Sequence, residues 1–221
     1  VCSSDLTSAE RFYVHTDIYD KFLAAFAEQA RALRIGNGLD AVDIGPMASL
    51  RERDRVERLV ARAVEQGAKV VTGGRRPSHL TSGAFYEPTI LEVSHDHEIM
   101  HGECFGPIAP VCRVADLDEA IRLANDSELG LGANIYTEVL EEAFRAIHEI
   151  ESGIVWVNTP LNDNDAVPFG GRKLTGSGRE LGAEGLDQFR RSKMVMIAPR
   201  AEPDPEWFPY PDADSFGAQG S

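Results

Sequence analysis

The stretch VPFGGRKLTGSGRELGAEG, Val167 to Gly185, is the densest run of glycine and charge in the chain, with glycines at 170, 171, 176, 178, 182 and 185. So much glycine marks backbone that turns tightly, sits at positive φ or approaches another group closely. From Arg179-Glu180-Leu181 onward the run regains helical spacing toward Leu186 and Phe189, so it reads as a loop that feeds a helix. Two uses fit such a loop. It can be a structural crossover, or it can line a site, because Phe169 and Glu180 are costly residues to hold on a loop without purpose. Phosphate cradling fails on both known patterns. Gly171 is followed by Gly176 at P-loop spacing, but Ser177 stands where lysine is needed. Gly176 and Gly178 open a GxGxxG pattern, but Leu181 takes the place of its third glycine and no apolar strand precedes it directly.

The chain has 221 residues, enough for one large domain or a domain with an arm. Hydrophobic residues make up 43% and charged residues 26%, an ordinary globular composition. Against 22 basic residues stand 36 acidic ones, for a net charge of −14. That balance repels polyanions, so neither nucleic acid nor an acidic membrane surface is an expected partner. No apolar run approaches the ~20 residues of a membrane span, and no basic segment followed by an apolar one opens the sequence as a signal peptide does. The three cysteines, Cys2, Cys104 and Cys112, form no disulfide framework and fit a reducing cytoplasm.

The remaining elements follow from periodicity. Phe12-Tyr13-Val14 is a short strand, and from Ile18 the pattern turns helical, with Phe22, Ala25, Phe26, Ala30 and Leu33 on one face. A second helix carries Val56, Leu59, Val60, Ala63 and Val64, with Gly67 as its stop. Lys69 to Thr72 is a strand. Tyr86 to Val93 is extended, with Pro88 favouring an edge or irregular strand. Ile108 to Val114 is another strand, after which Asp116 caps a helix with Glu119 three residues on. Ala133 to Tyr136 is a strand, and Glu138, Glu141 and Glu142 crowd the first turn of the next helix. Ile154 to Val157 reads as a strand buried on both faces, and Met194 to Ile197 as a last strand. Strands alternating with helices argue for an α/β domain with a largely parallel sheet and helices on both faces. From Pro199 proline and aspartate dominate, with Trp207, Phe208 and Tyr210 among them. This is a flexible tail, either plainly disordered or docking its aromatic cluster on a neighbour.

Several segments together resemble the C-terminal half of the aldehyde dehydrogenase superfamily. Glu103-Cys104-Phe105-Gly106-Pro107 is similar to that family's E-x-F-G-P segment. Pro168-Phe169-Gly170-Gly171, then Lys173, Gly176 and Gly178-Arg179-Glu180-Leu181-Gly182, resemble its P-F-G-G-x-K-x-S-G-x-G-R-E-x-G segment. Phe85-Tyr86-Glu87-Pro88-Thr89, the Ala124-Asn125 pair before Gly130-Leu131, and Asn158 after its strand also fit. The likeness runs from about Thr7 to about Pro199, and order and spacing carry it rather than any single motif.

The resemblance implies oxidation of a small aldehyde to a carboxylic acid with NAD or NADP, through a cysteine thiohemiacetal and a thioester. It gives Glu103 a hydrogen bond to the nicotinamide ribose and Phe105 a place beside the ring. Both are thus cofactor-binding candidates, and a carboxylate is well suited to accept from two ribose hydroxyls. It places Phe169 at the substrate entrance and makes Glu180 a catalytic candidate that assists proton movement through water. A surface salt bridge from Glu180 to Arg179 or Lys173 is the plainer alternative. Asn158 reads as a structural hydrogen-bonder. A whole family member is expected as a homodimer or homotetramer.

The same resemblance implies that residues 7–190 are a partial catalytic domain, 191–199 an oligomerisation strand and 200–221 a flexible tail. The nucleotide-binding domain and general base belong to the family's other half, so these 221 residues alone are expected to be inactive. The family's nucleophile stands five positions before the arginine that matches Arg11, which falls on Leu6. Cys2 lies nine positions before Arg11, four too many, and four extended residues reach up to ~13 Å. Val1-Cys2-Ser3-Ser4-Asp5-Leu6 also looks like a reading frame of a sequencing adapter, so residues 1–6 are expected to be a non-native leader.

Two further classes deserve comparison. His95, His97, His101 and Cys104 are metal-ligand types within ten residues, but H-x-H-x3-H-x2-C is no recognised closed zinc pattern. Solvated histidines are expected, and no metal. A dehydrogenase-like module kept only for oligomerisation is the other alternative.

Overall fold

A computed structural model describes residues 8–159 and 164–200. A strand at Phe12–His15 (β1) runs straight into a helix at Thr16–Ala32 (α1), and His15 Nδ1 caps it by accepting the Asp17 N–H at 3.2 Å. Ser49 caps the next helix, Leu50–Glu65 (α2), through the Glu52 N–H. Gly67, at φ +103°, turns the chain out of it. Strands Lys69–Thr72 (β2) and Thr89–Val93 (β3) follow, then a 3-10 turn at Glu98–Met100 and the strand Ile108–Val114 (β4). Asp116 accepts the Glu119 N–H at the start of Leu117–Asn125 (α3), while the Glu119 carboxylate reaches back to the Ala115 N–H. The rest comprises Leu129–Gly130 (β5), Gly132–Ile135 (β6), Leu140–Glu149 (α4), Ile154–Val157 (β7), Arg172–Lys173 (β8) and Gly182–Asp187 (α5).

The central sheet has the order β1-β4-β3-β2. β4 pairs in parallel with β1, Phe12 opposite Val111, and with β3, Thr89 opposite Ile108, whereas β2 joins β3 antiparallel. Alternation along β3 divides the core. Ile90 packs with Tyr19, Ala27 and Ala30 of α1 on one face. Leu91 and Val93 pack with Val56, Val60 and Ala63 of α2 on the other. The helices therefore do flank the sheet, as their apolar stripes require.

The expectation of a largely parallel sheet holds in part, since two of the three pairings in the central sheet are parallel. The central sheet is mixed, and β6 with β7 (parallel) and β5 with β8 (antiparallel) form separate two-stranded pairs. β3 is an inner strand, not an edge. Pro88 stands one residue ahead of it, where its missing N–H costs no ladder bond. Pro110 does lie inside β4, but the β1 ladder starts only opposite Val111. Ile154–Val157 is not buried on both faces, since only Trp156 of its residues is buried. α5 forms where the glycine run regains helical spacing, but Leu186 and Phe189 face solvent.

Residues 190–200 belong to a second unit and carry no helix or strand. Met194, Val195, Met196 and Ile197 are all exposed. The expected last strand is thus absent from the single chain, for an extended segment becomes a strand only when another backbone takes its hydrogen bonds. The expected leader at 1–6 and the aromatic cluster at Trp207, Phe208 and Tyr210 lie outside the described residues. Among the described residues no helix is long and apolar enough to cross a membrane.

Candidate active site

Glu103 to Pro107 leads from the 3-10 turn into β4, and the fold grips its backbone twice. Glu10, just ahead of β1, accepts the Cys104 N–H on Oε2 at 2.7 Å and the Phe105 N–H on Oε1 at 3.2 Å. Arg55 of α2 donates Nη2 to the Cys104 carbonyl at 2.6 Å and Nη1 to the Glu103 carbonyl at 3.4 Å, and Glu52 holds its Nε at 2.7 Å. Neighbouring Arg11 donates to the Met100 carbonyl at 3.2 Å. Phe105 is held at φ 40°, in the left-handed region that a bulky residue rarely enters. Gly106 presses so closely on α2 that an added Cβ would lie 2.6 Å from Val56 Cγ2.

The turn sorts its side chains. Cys104 is buried, while Glu103 is exposed and Phe105 is 53% exposed. Glu103 and Cys104 border a shallow hollow of about 290 Å³, lined also by Leu59, Glu98, Ile99 and His101. Burial pushes the Cys104 thiol up to about 12, and the negative Glu10 beside it adds to the effect. Burial also raises the Cys112 thiol. Neither is a thiolate at neutral pH, so neither is an activated nucleophile. Cys2 and Leu6 lie outside the described residues.

The second cluster is the glycine loop. Phe169 and Glu180 exchange both backbone hydrogen bonds, at 2.7 and 2.8 Å, forming an isolated antiparallel bridge. Gly153, which leads into β7, touches the loop so closely that a Cβ there would sit 1.9 Å from the Gly170 carbonyl oxygen. Phe169 is 8% exposed and the Glu180 side chain faces solvent. Neither proposed salt-bridge partner turns to Glu180. Arg179 donates to the carbonyls of Gly171, Ser177 and Gly178. Lys173 donates to the carbonyls of Asn125 and Ser127 and pairs with Glu151 at 2.7 Å. Asn158, at φ 54°, accepts the Thr137 N–H and donates to the Thr137 carbonyl, a structural role.

The structure thus pairs Glu103 with Phe105, and Phe169 with Glu180, on different parts of the fold. The first pair rests on the approach to β1, on α2 and on β4, and the second on the glycine loop beside β7. The four-residue metal set does not assemble. His97 turns back on Ser94, whose backbone N–H it accepts at 3.0 Å, and Cys104 is enclosed beside Glu10. His95 and His101 do meet, with ring centroids 4.9 Å apart. Sequence reasoning passed over Glu10 and Arg55. Arg55 sits in a helix rich in charge, and Glu10 shows its purpose only through a contact spanning more than ninety residues.

A strained E-x-F-G-P turn heading a strand, and a glycine loop closed by a backbone bridge, both lie in an α/β fold of mixed sheet and flanking helices. The aldehyde dehydrogenase family model matches residues 5–195, and the chain belongs to that family. It is 40% identical over 203 residues to a 3,6-anhydro-alpha-L-galactose dehydrogenase of Vibrio sp. (strain EJY3), covering 89% of this chain and 42% of that protein. Over 194 residues it is 39% identical to a succinate-semialdehyde dehydrogenase [NADP(+)] of Deinococcus radiodurans, covering 87% of this chain and 40% of the relative. The solved lactaldehyde dehydrogenase of Escherichia coli superposes with a TM-score of 0.81 at 37% identity, covering 85% of this chain and 39% of that one. The chain therefore spans about two fifths of the length of the curated relatives it matches.

Proposed function

We propose that residues 8–200 supply the cofactor-positioning part of the catalytic domain of an NAD(P)-dependent aldehyde dehydrogenase that oxidises a small aldehyde to its acid. The observation that carries this reading is the doubly held turn at Glu103–Phe105. The fold accepts a left-handed phenylalanine and ties its backbone to Glu10 and Arg55, and the result is an outward carboxylate beside an outward aromatic ring. An ionised carboxylate is acceptor-only and can take two hydroxyl donors at once, which suits a ribose diol. The half-exposed Phe105 ring offers a flat apolar surface next to it.

When bound, the nicotinamide supplies the hydride acceptor. Glu103 fixes the sugar, Phe105 limits the tilt of the ring, and the rigid backbone beneath lowers the ordering cost of both contacts. Glu180 holds an exposed carboxylate within one residue-pair of Phe169, where it can accept a proton from water and pass it on. Phe169 shapes the approach to the substrate by anchoring that bridge. The exposed Met194–Ile197 segment is the strand through which copies pair, giving a homodimer or homotetramer. The 221 residues by themselves do not turn over aldehyde, because they show no dinucleotide fingerprint and their two described cysteines are protonated and buried.

A hybrid tests this reading. Residues 8–200 are fused behind the preceding part of the Vibrio relative, its nucleophile included, and NAD(P)H absorbance is followed over a panel of aldehydes. Aldehyde-dependent signal is expected, with Glu103→Gln raising the KM for the cofactor roughly tenfold and leaving the KM for the aldehyde nearly unchanged. A folded hybrid with no signal on any aldehyde, or Glu103→Gln with no kinetic effect, overturns it.

A further inference from the structure

His95, His101 and Asp126 come together outside the turn at Glu103–Phe105. One ligand atom from each lies within 4.8 Å of the others. His95 Nε2 stands 2.9 Å from Asp126 Oδ2, and the His101 ring meets the His95 ring edge-on. The His95 side chain is 11% exposed and the Asp126 side chain 65%, so a fixed imidazole faces a carboxylate free to adjust. Beside them a hollow of about 360 Å³ is lined by His101, Asn125, Asp126, Ser127 and Glu128.

The groups around His95 suit a metal ligand. The Tyr13 hydroxyl lies 3.1 Å from the Leu123 carbonyl and 3.2 Å from His95 Nδ1. When it donates to the carbonyl it accepts from Nδ1–H, and the Nε2 lone pair then faces the Asp126 carboxylate at 2.9 Å. In the other tautomer Nε2–H donates to that carboxylate. In the first tautomer a cation between Nε2 and the carboxylate is favourable. An imidazole whose far nitrogen donates to an ordering group while the near one meets a carboxylate is the usual dress of a metal-ligating histidine. Asp126 adds a second argument. It caps the C-terminus of α3, where the helix dipole disfavours an anion, and a bound cation reverses that penalty.

We propose that His95, His101 and Asp126 bind one divalent transition-metal ion of the zinc class, with Tyr13 positioning His95. Two imidazoles and a carboxylate suit zinc, nickel or copper better than magnesium or calcium. The adjoining hollow leaves room for a water as fourth ligand. The ligands join the stretch on either side of the 3-10 turn to the end of α3. The ion acts as a clip two residues ahead of Glu103, and this assignment is independent of the dehydrogenase reading.

The test uses the 221-residue chain, titrated with zinc chloride by calorimetry and with cobalt(II) chloride by visible absorption. One equivalent binds, and the cobalt spectrum shows nitrogen and oxygen ligation without a thiolate charge-transfer band. His101→Gln and Asp126→Asn, both at exposed positions, each weaken zinc binding tenfold or more. Tyr13→Phe weakens it by about tenfold, and the exposed control His148→Gln changes nothing. Circular dichroism verifies that each variant is folded. Absence of binding at millimolar metal, a thiolate band, or affinity unmoved by both His101→Gln and Asp126→Asn overturns the proposal.

Discussion

Glu10 and Phe105 stand 95 positions apart, and the Glu10 carboxylate accepts the Phe105 N–H at 3.2 Å while its other oxygen takes the Cys104 N–H at 2.7 Å. One side chain thus satisfies two consecutive backbone donors of a turn that no ladder covers. Glu10→Ala removes both acceptors; the exposed Phe105 N–H can turn to water, but the part-buried Cys104 N–H loses its partner, and a buried unsatisfied group costs about 1–3 kcal/mol. We expect a clear fall in the urea midpoint with an unchanged slope. Glu10→Gln, which keeps one acceptor oxygen, falls by roughly half as much. Equal midpoints for wild type and Glu10→Ala remove Glu10 from the scaffold.

Close backbone contact separates two glycines that look alike in sequence. A Cβ at Gly153 would lie 1.9 Å from the Gly170 carbonyl oxygen, so Gly153→Ala must push the glycine loop off β7. Overpacking of this kind costs about 1–3 kcal/mol or more. At Gly176 nothing lies within 4 Å, although φ is +98°. Gly176→Ala therefore meets only backbone strain, of order 1 kcal/mol. Thermal midpoints should fall further for Gly153→Ala than for Gly176→Ala; the reverse order contradicts the geometry.

Cys104 sets an alkaline limit. Its thiol rises from 9.0 to about 12 in the folded chain, chiefly through burial. The unfolded chain loses this proton first, so the group's contribution is full below pH 9 and is lost as pH climbs from 9 toward 12. The slope over that window approaches 1.4 kcal/mol per pH unit per proton. Denaturant midpoints between pH 8 and 10 should fall less steeply for Cys104→Ala than for wild type. In the folded protein Cys104 should also resist thiol alkylation at pH 8. Rapid alkylation of Cys104 without unfolding contradicts its burial.

Much of this architecture is legible in the sequence, because it lies in local signals. Lys69–Thr72 and Ile108–Val114 form as strands over the expected residues, and Asp116 with Glu119 marks a helix start. Sheet order is not local. Nothing between Thr89 and Val93 says that the strand is internal, and only the β4 and β2 partners make it so. Met194–Ile197 has the composition of a strand, but a single chain offers it no partner. At the site, Glu103 and Phe105 are legible through a five-residue pattern. Glu10, Arg55 and the meeting of His95 with Asp126 depend on tertiary contacts.

Phe105 and Phe169 look equivalent in the sequence, each an aromatic beside glycine in a loop, yet the structure gives them opposite energetics. Phe169 is 8% exposed, and replacing a buried phenylalanine by alanine costs about 3–5 kcal/mol. Phe105 is 53% exposed and held at φ 40°. Phe105→Gly relieves a left-handed strain of about 1–2 kcal/mol and gives back a similar amount through the freer unfolded chain and the lost half-contact. Its net effect on stability is therefore within about 1 kcal/mol of zero. A residue that strains the backbone and scarcely supports the core fits the cofactor-facing role proposed for this turn. In the hybrid enzyme, Phe105→Gly should leave the melting temperature nearly unchanged while raising the KM for the cofactor. Phe169→Ala should lower the melting temperature sharply, whatever it does to kinetics. If Phe105→Gly instead unfolds the protein, the ring is a core element after all and the cofactor-facing role of this turn is lost.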